Sequence, residues 1–190
     1  MIIGISGTRC VGKDTAYELL TKFKTFTRYA FADALKNDLK DLVQSQFNID
    51  IFSPSKEDKE LIRPLMITYG CMWRAKDPDH WVKKVTSQIK PFEFSVIVDV
   101  RFENELDILK KMYGSNFVHV NIANKFAPEP TCEEQKHFKQ IAQRADYSIE
   151  WGNNTCQERI DIITDLYKFV KNREVSIVLP LPLPLPLSLE

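Results

Sequence analysis

Glycine, lysine and hydroxyl residues at a fixed spacing can hold a polyphosphate, and residues 7–15 have that spacing. Gly7 and Gly12 bracket a turn, and Lys13, Asp14 and Thr15 follow. Glycines let backbone N–H groups curl round phosphate oxygens, and a helix starting at Lys13 adds its positive end. Lys13 places a point charge on the terminal phosphates. The turn departs from the phosphate-loop pattern G-x-x-x-x-G-K-[ST] at one position. Asp14 stands where Ser or Thr holds magnesium. A carboxylate there needs a cation or a donor between it and the phosphates. Asp14 either reaches magnesium through water or accepts hydrogen bonds that fix the loop, and Thr15 offers the metal-side hydroxyl. The plain alternative is a glycine turn capping a helix, with Lys13 solvated.

A second group is Asp99-Val100-Arg101, which ends a β-branched run. In open α/β sheets ligands gather beyond the carboxyl ends of the strands, so this carboxylate and guanidinium can face the phosphate loop. A structural Asp–Arg ion pair is the other reading. Arg9, Arg63, Arg74, Arg101 and Arg144 are dispersed, and singly each reads as a surface charge. Together with a phosphate loop they suit transfer between two phosphates, because guanidinium forks offset the repulsion of two anions. Such an acceptor is already an oxyanion near neutral pH, so positioning and charge suffice without a side-chain base. His80, His119 and His137 pair with no nucleophile in the sequence and read as surface or half-buried histidines. Tyr69, Trp73 and Trp81 either stack a base or form the core of their own helical region.

The elements that must position these groups follow from hydrophobic periodicity. Residues 2–6 read as a buried strand, and a helix from Lys13 turns Ala16, Leu19, Leu20 and Phe23 inward. Strand, glycine turn and helix open an α/β nucleotide-binding domain. Residues 28–32 read as a second strand, with Asp33 capping a helix that buries Leu35, Leu39, Leu42 and Val43. Helices are expected at roughly 57–72 and 79–89, so the stretch of about 33–90 carries no strand. Residues 95–100 read as the central strand. The helix at 104–113 turns Leu106, Leu109 and Met112 inward and stops at Gly114. Strands at 117–122 and 146–150, a helix from about 132 and an amphipathic helix at 156–171 complete the set. The last helix carries Ile160, Ile163, Leu166 and Val170 inward.

Composition bounds the rest. The chain has 190 residues, 44 % of them hydrophobic, and 12 phenylalanines, which is enough for one folded domain with a core. Twenty-six basic and 26 acidic side chains cancel, against the strongly basic balance of duplex nucleic-acid binders. Cys10, Cys71, Cys132 and Cys156 match no zinc spacing and read as free thiols of a reducing cytosol. No basic leader precedes a long apolar run, and no run spans a bilayer, so neither secretion nor a membrane partner is expected. From 175 to 190, prolines at 180, 182, 184 and 186 alternate with leucines and forbid a helix. That tail reads as a one-sided edge strand or arm, a flexible end, or an appended extension.

The ordered motifs resemble the deoxynucleoside monophosphate kinases of tailed bacteriophages. The likeness rests on Gly12-Lys13-Asp14-Thr15, on Phe31-Ala32-Asp33-Ala34-Leu35-Lys36 and on Arg63-Pro64-Leu65-Met66 leading to Tyr69-Gly70, Arg74 and Trp81. It continues in Asp99-Val100-Arg101-Phe102 with Asn104-Glu105, and covers roughly residues 2–165. Ala34 replaces that family's usual proline. The resemblance implies a three-layer α/β P-loop kinase fold over 1–174, with a mostly parallel five-stranded sheet and helices on both faces. It implies an acceptor-binding helical insert at about 33–90 and a small lid at about 123–145 with Arg144 as its arginine. It implies transfer of the γ-phosphoryl of ATP to a deoxynucleoside 5′-monophosphate, with Mg2+. Arg9, Gly12, Lys13, Asp14 and Thr15 would bind ATP, and Thr15, Asp14 and Asp99 would hold the metal, the carboxylates through water. Lys13, Arg101 and Asp99 would carry catalysis. Phe31, Arg63, Tyr69, Arg74, Trp81 and Arg101 would bind the acceptor. Small-molecule substrates in the cytoplasm (the host's, for a phage-encoded chain) are the implied partners, and a homodimer stays open. Phosphomevalonate kinases share the Phe-Ala-Asp and Lys-Asp features, so a non-nucleotide acceptor is the alternative. A nucleotide-binding switch that docks through the Leu/Pro tail is a second one.

Overall fold

The computed structural model describes residues 1–129 and 132–175. Of the Leu/Pro tail at 175–190, residues 176–190 lie outside the described residues. Five parallel strands form one sheet: β1 (Ile2–Ser6), β2 (Thr27–Tyr29), β3 (Ser95–Val100), β4 (Phe117–Asn124) and β5 (Tyr147–Trp151). Their order is β2-β3-β1-β4-β5, with β1 at the centre. The seven helices described are α1 (Lys13–Leu20), α2 (Phe31–Phe47), α3 (Lys56–Lys76), α4 (His80–Thr86), α5 (Glu103–Tyr113), α6 (Cys132–Ala142) and α7 (Cys156–Val175). None of them is long and apolar enough to cross a membrane.

Period-two side chains make the sheet three-layered. Ile3, Ile5, Val96, Val98, Val118 and Val120 point to one face, where α1 brings Leu20 and α7 brings Ile163 and Leu166. Ile2, Ile97 and Phe117 point to the other, against Leu35, Trp81, Leu106, Leu109 and Ile141 of α2, α4, α5 and α6. Fully burying such side chains contributes about 1.5–3 kcal/mol each. Strands covered on both faces explain the nearly unbroken apolar runs of β1 and β3. The expected fold class, sheet composition and helical stretch are those observed.

Three local expectations are corrected. The second strand ends at Tyr29, and Phe31 and Ala32 already belong to α2. Asp33 is not its cap. The Phe31 and Ala32 N–H groups donate to the two carboxylate oxygens of Asp99, at 2.8 and 2.9 Å, so the cap comes from the end of β3. Leu42 and Met112 are in phase with buried residues, yet they are 46 % and 55 % exposed. Phase selects a helix face, and no neighbouring element covers these two positions.

Candidate active site

The strand order switches direction at β1, so the carboxyl ends of β1 and β3 open the crevice where an α/β sheet takes its ligand. Both sequence groups end there. The loop after β1 curls because Gly7 and Gly12 adopt φ 152° and 92°. A Cβ at Gly7 would lie 2.5 Å from the Ile122 carbonyl oxygen, and one at Gly12 would lie 2.9 Å from Trp151 Nε1. Only glycine fits either position. Lys13 Nζ donates to the Gly7 and Thr8 carbonyls at 2.9 and 2.7 Å, folding its charge back over the loop. Burial lowers its pKa, as does the Arg101 charge, while Asp99 and Asp14 act against them. Asp14 is exposed and bonded to Arg28 at 3.2 Å, and Arg28 also holds Asp33. Asp14 thus has a guanidinium of the protein beside it.

A cavity of about 350 Å³ opens beside this loop. The loop contributes Gly7, Thr8 and Arg9, α3 contributes Cys71 and Arg74, and the exit of β3 contributes Val100, Arg101 and Phe102. Helix α6 closes it with His137, Phe138 and Ile141. Three of the five arginines singled out in the sequence therefore meet around one space. The Arg74 guanidinium lies 4.4 Å from the Phe102 ring centroid, a cation–π distance. Phe102 in turn meets His137 edge-on at 5.1 Å.

Other expected residues lie elsewhere. Phe31 and Trp81 are 4 % and 1 % exposed in the core, and Trp81 Nε1 donates to the Gly70 carbonyl. Tyr69 packs against Trp73 and Trp81. Trp81 is core, Tyr69 and Trp73 are partly buried against it, and none of the three lines the cavity. Arg63 is also absent from the lining. It binds Glu60 through Nε and Nη2, and Glu60 also takes Arg9. Arg144 is not brought to the cavity: its guanidinium is held by Glu103 and Asp107 of α5. Arg144→Ala is expected to cost at most about 1 kcal/mol, as for other half-exposed ion pairs, and to leave turnover near wild type. A turnover loss matching that of Arg101→Ala would return it to the site.

Glu105, Phe138 and His137 were quoted or passed over in the sequence without a role. Glu105 is 3 % exposed, and its Oε2 accepts the N–H groups of Arg101 and Phe102 at 2.9 and 3.2 Å. A carboxylate three residues after Phe102, in the first turn of a helix, is a capping-box spacing, which was the available signal. Burial pushes its pKa from 4.5 up to about 7. The native state then binds a proton that the unfolded chain has released, so this group's stabilisation is lost as pH rises from 4.5 to about 7. Against Glu105→Gln, the wild type should lose roughly 3 kcal/mol across that window, at about 1.36 kcal/mol per unit. Paired denaturant titrations at several pH values check this, and a constant difference would refute it.

His119 has the opposite sign. Fully buried, it lies 2.8 Å from Ser6 Oγ and 3.3 Å from the Arg144 carbonyl, and burial lowers its pKa to about 4. Its contribution is present above 6.5 and is lost as pH falls toward 4.

Among the described residues no three His, Cys, Asp or Glu side chains cluster to hold a metal. Magnesium keeps most of its water and leans on phosphate oxygens, so a hydroxyl and one carboxylate suit it better than a closed cage. Thr15 and the lone pairs that Asp99 retains fit that donor set.

Comparison with known proteins agrees with the geometry. Residues 5–115 match the family model described as phosphomevalonate kinase. No curated protein sequence matches the chain. Dephospho-CoA kinase from Campylobacter jejuni superimposes with a TM-score of 0.55 at 13 % identity, covering 90 % of this chain and 98 % of that one. Shikimate kinase from Aquifex aeolicus gives 0.50 at 16 % identity, covering 93 % and 99 %. A gluconokinase from Sinorhizobium meliloti gives 0.51 at 12 % identity, covering 91 % and 95 %. At such identities the likeness is one of fold. The family match is one of sequence over more than half the chain, and it spans the phosphate loop, the helical insert and Asp99-Val100-Arg101. With the loop, the parallel sheet and the arginine-lined cavity in place, the chain belongs to the phosphomevalonate kinase family and carries a P-loop kinase fold.

Proposed function

We propose that this kinase transfers the γ-phosphoryl group of ATP to the phosphate of a deoxynucleoside 5′-monophosphate. The observation that carries the reading is the cavity beside the phosphate loop. It joins three guanidiniums (Arg9, Arg74 and Arg101) to an apolar and aromatic wall of Phe102, Phe138 and Ile141. One part suits a phosphate and the other a flat base. Phe102 and Phe138 take the contact that the sequence assigned to Phe31, Tyr69 and Trp81.

The loop N–H groups and Lys13 hold the donor's β- and γ-phosphates, with Arg9 beside them. Thr15 and water on Asp99 would hold Mg2+, which when bound offsets phosphate charge. An acceptor phosphate oxygen attacks the γ-phosphorus while the bond to the bridging oxygen breaks, and ADP leaves with that electron pair. No proton has to move, so the work is positioning and charge balance. Arg101 is placed to address both anions, and Arg74 the acceptor. Helix α6, over the cavity, is the element that would exclude water on closure. The substrates are dissolved metabolites, which puts the activity in the cytoplasm.

A second reading has its own observation. The matching family model is that of phosphomevalonate kinase, so phosphomevalonate is the competing acceptor. ADP release from ATP and magnesium should be measured with dGMP, dTMP, dCMP, dAMP, their ribose forms and phosphomevalonate. Fast turnover on a deoxynucleotide supports the first reading. Turnover on phosphomevalonate alone replaces it with the second.

A further inference from the structure

Two guanidiniums that address one anion must be held at a fixed separation, and Arg74 and Arg101 come from different elements. Arg74 is on α3 and Arg101 leaves β3. One side chain touches both anchors. Glu105, in the first turn of α5, accepts the backbone N–H groups of Arg101 and Phe102 with Oε2. Its other oxygen lies 3.9 Å from Arg74 Nη2. Arg74 also rests on the Phe102 ring, whose backbone that same carboxyl holds.

The distances matter. At 2.9 and 3.2 Å the backbone contacts are hydrogen bonds, and they fix where the strand exit turns. At 3.9 Å the Arg74 contact is an ion pair without a hydrogen bond. The guanidinium is oriented by charge, yet its N–H groups stay available to a ligand. Glu105 is almost sealed from solvent, so water does not replace it as the acceptor of the two N–H groups. An apolar side chain in its place would leave the two strand-exit N–H groups unmet and Arg74 without a counter-charge.

We propose that Glu105 is the positioning residue of the acceptor clamp, setting Arg101 through its backbone and Arg74 through its charge so that both address one phosphate. This rests on the reading that the cavity takes the acceptor's phosphate, but it does not depend on which acceptor carries it.

The test is run above pH 7, where the Glu105 carboxyl carries its charge; it uses inorganic phosphate as the probe, titrated into the full chain with saturating ADP, with ADP affinity measured separately. Glu105→Ala is expected to weaken phosphate by about tenfold and to leave ADP affinity within about twofold. Glu105→Gln keeps an oxygen for the two N–H groups but loses the charge that orients Arg74, so it should recover only part of the loss. In a double-mutant cycle, Glu105→Ala should cost less on top of Arg74→Ala than it costs alone, because part of its effect runs through Arg74. Effects that multiply, or an equal loss of ADP and phosphate affinity, would overturn the proposal. Should Glu105→Ala not fold, Glu105→Asp serves instead. It keeps the charge but falls short of both contacts, and wild-type phosphate binding by it would overturn the proposal too. The two readings fail separately. A silent acceptor panel with Glu105-dependent phosphate binding removes the acceptors and keeps the clamp. Turnover on the panel without phosphate binding keeps the kinase and removes the clamp.

Discussion

Lys13→Ala is expected to lower turnover by about 10³-fold, the scale on which removing an oriented charge from a phosphoryl-transfer or oxyanion site acts, while the fold persists. Two observations set this expectation. The ammonium is tied to the Gly7 and Thr8 carbonyls, so it occupies the mouth of the loop where terminal phosphates would lie. Its neighbourhood is also electrically balanced. Burial and Arg101 oppose the charge, while Asp99 and Asp14 support it. An alanine deletes the cation that is folded back over the loop. The stability cost is small, because the two carbonyls lie in a partly buried loop that water can reach, at about 1 kcal/mol per lost hydrogen bond. Lys13→Arg should not rescue, since a planar fork does not replace a compact point charge inside a curled loop. Steady-state ADP release with a thermal melt of each variant makes the check. Turnover within about tenfold of wild type would remove Lys13 from the mechanism.

The part of this site that was legible in the sequence is the part whose chemistry is local. Gly7, Gly12 and Lys13 lie within seven residues, flanked by the strand and helix that make the turn meaningful. The buried strands were legible for a similar reason, since their β-branched runs need no partner to be recognised. What failed was long-range. The start of α2 is set by Asp99, which lies 68 residues from Phe31. A local window offers only Asp33, and Asp33 instead faces Arg28.

The acceptor residues show the same limit. Residue type marked Trp81, Tyr69 and Phe31 as base-stacking candidates, but type does not say which way a ring faces. Trp81 faces inward, in the core between the insert's helices and the sheet. The cavity's aromatic wall draws on Phe102 and on α6, in a stretch with no legible motif. Arg101 was marked by its place at the end of the central strand, and Arg74 by charge and by its motif. Glu105 touches the anchors of both, and the sequence marks it only by its capping-box spacing.

Asp99→Ala is expected to destabilise the protein by roughly 2–5 kcal/mol, because it leaves one buried and one partly buried N–H group without an acceptor, at about 1–3 kcal/mol each. That is a large fraction of the 5–15 kcal/mol, roughly, that holds a domain folded. The choice between structure and catalysis at this position needs a gentler change. Asparagine keeps the volume and one carbonyl oxygen, so it can serve Phe31 or Ala32 but turns its own N–H2 toward the other donor. Asp99→Asn should therefore melt below wild type but above Asp99→Ala. It also removes the negative charge that supports Lys13 and that would order the metal's water. Turnover of the folded Asp99→Asn protein, assayed well below its melting point, should fall roughly 10–100-fold, as for residues that tune a metal site from behind its ligands. Full turnover by the folded variant would leave Asp99 as the cap of α2 alone. The magnesium site would then rest on Thr15 and the substrate phosphates. A loss that persists when the protein is cold and fully folded gives one carboxylate two tasks. It would fix where the acceptor-binding insert begins, and it would hold the charge balance of the loop that the insert faces.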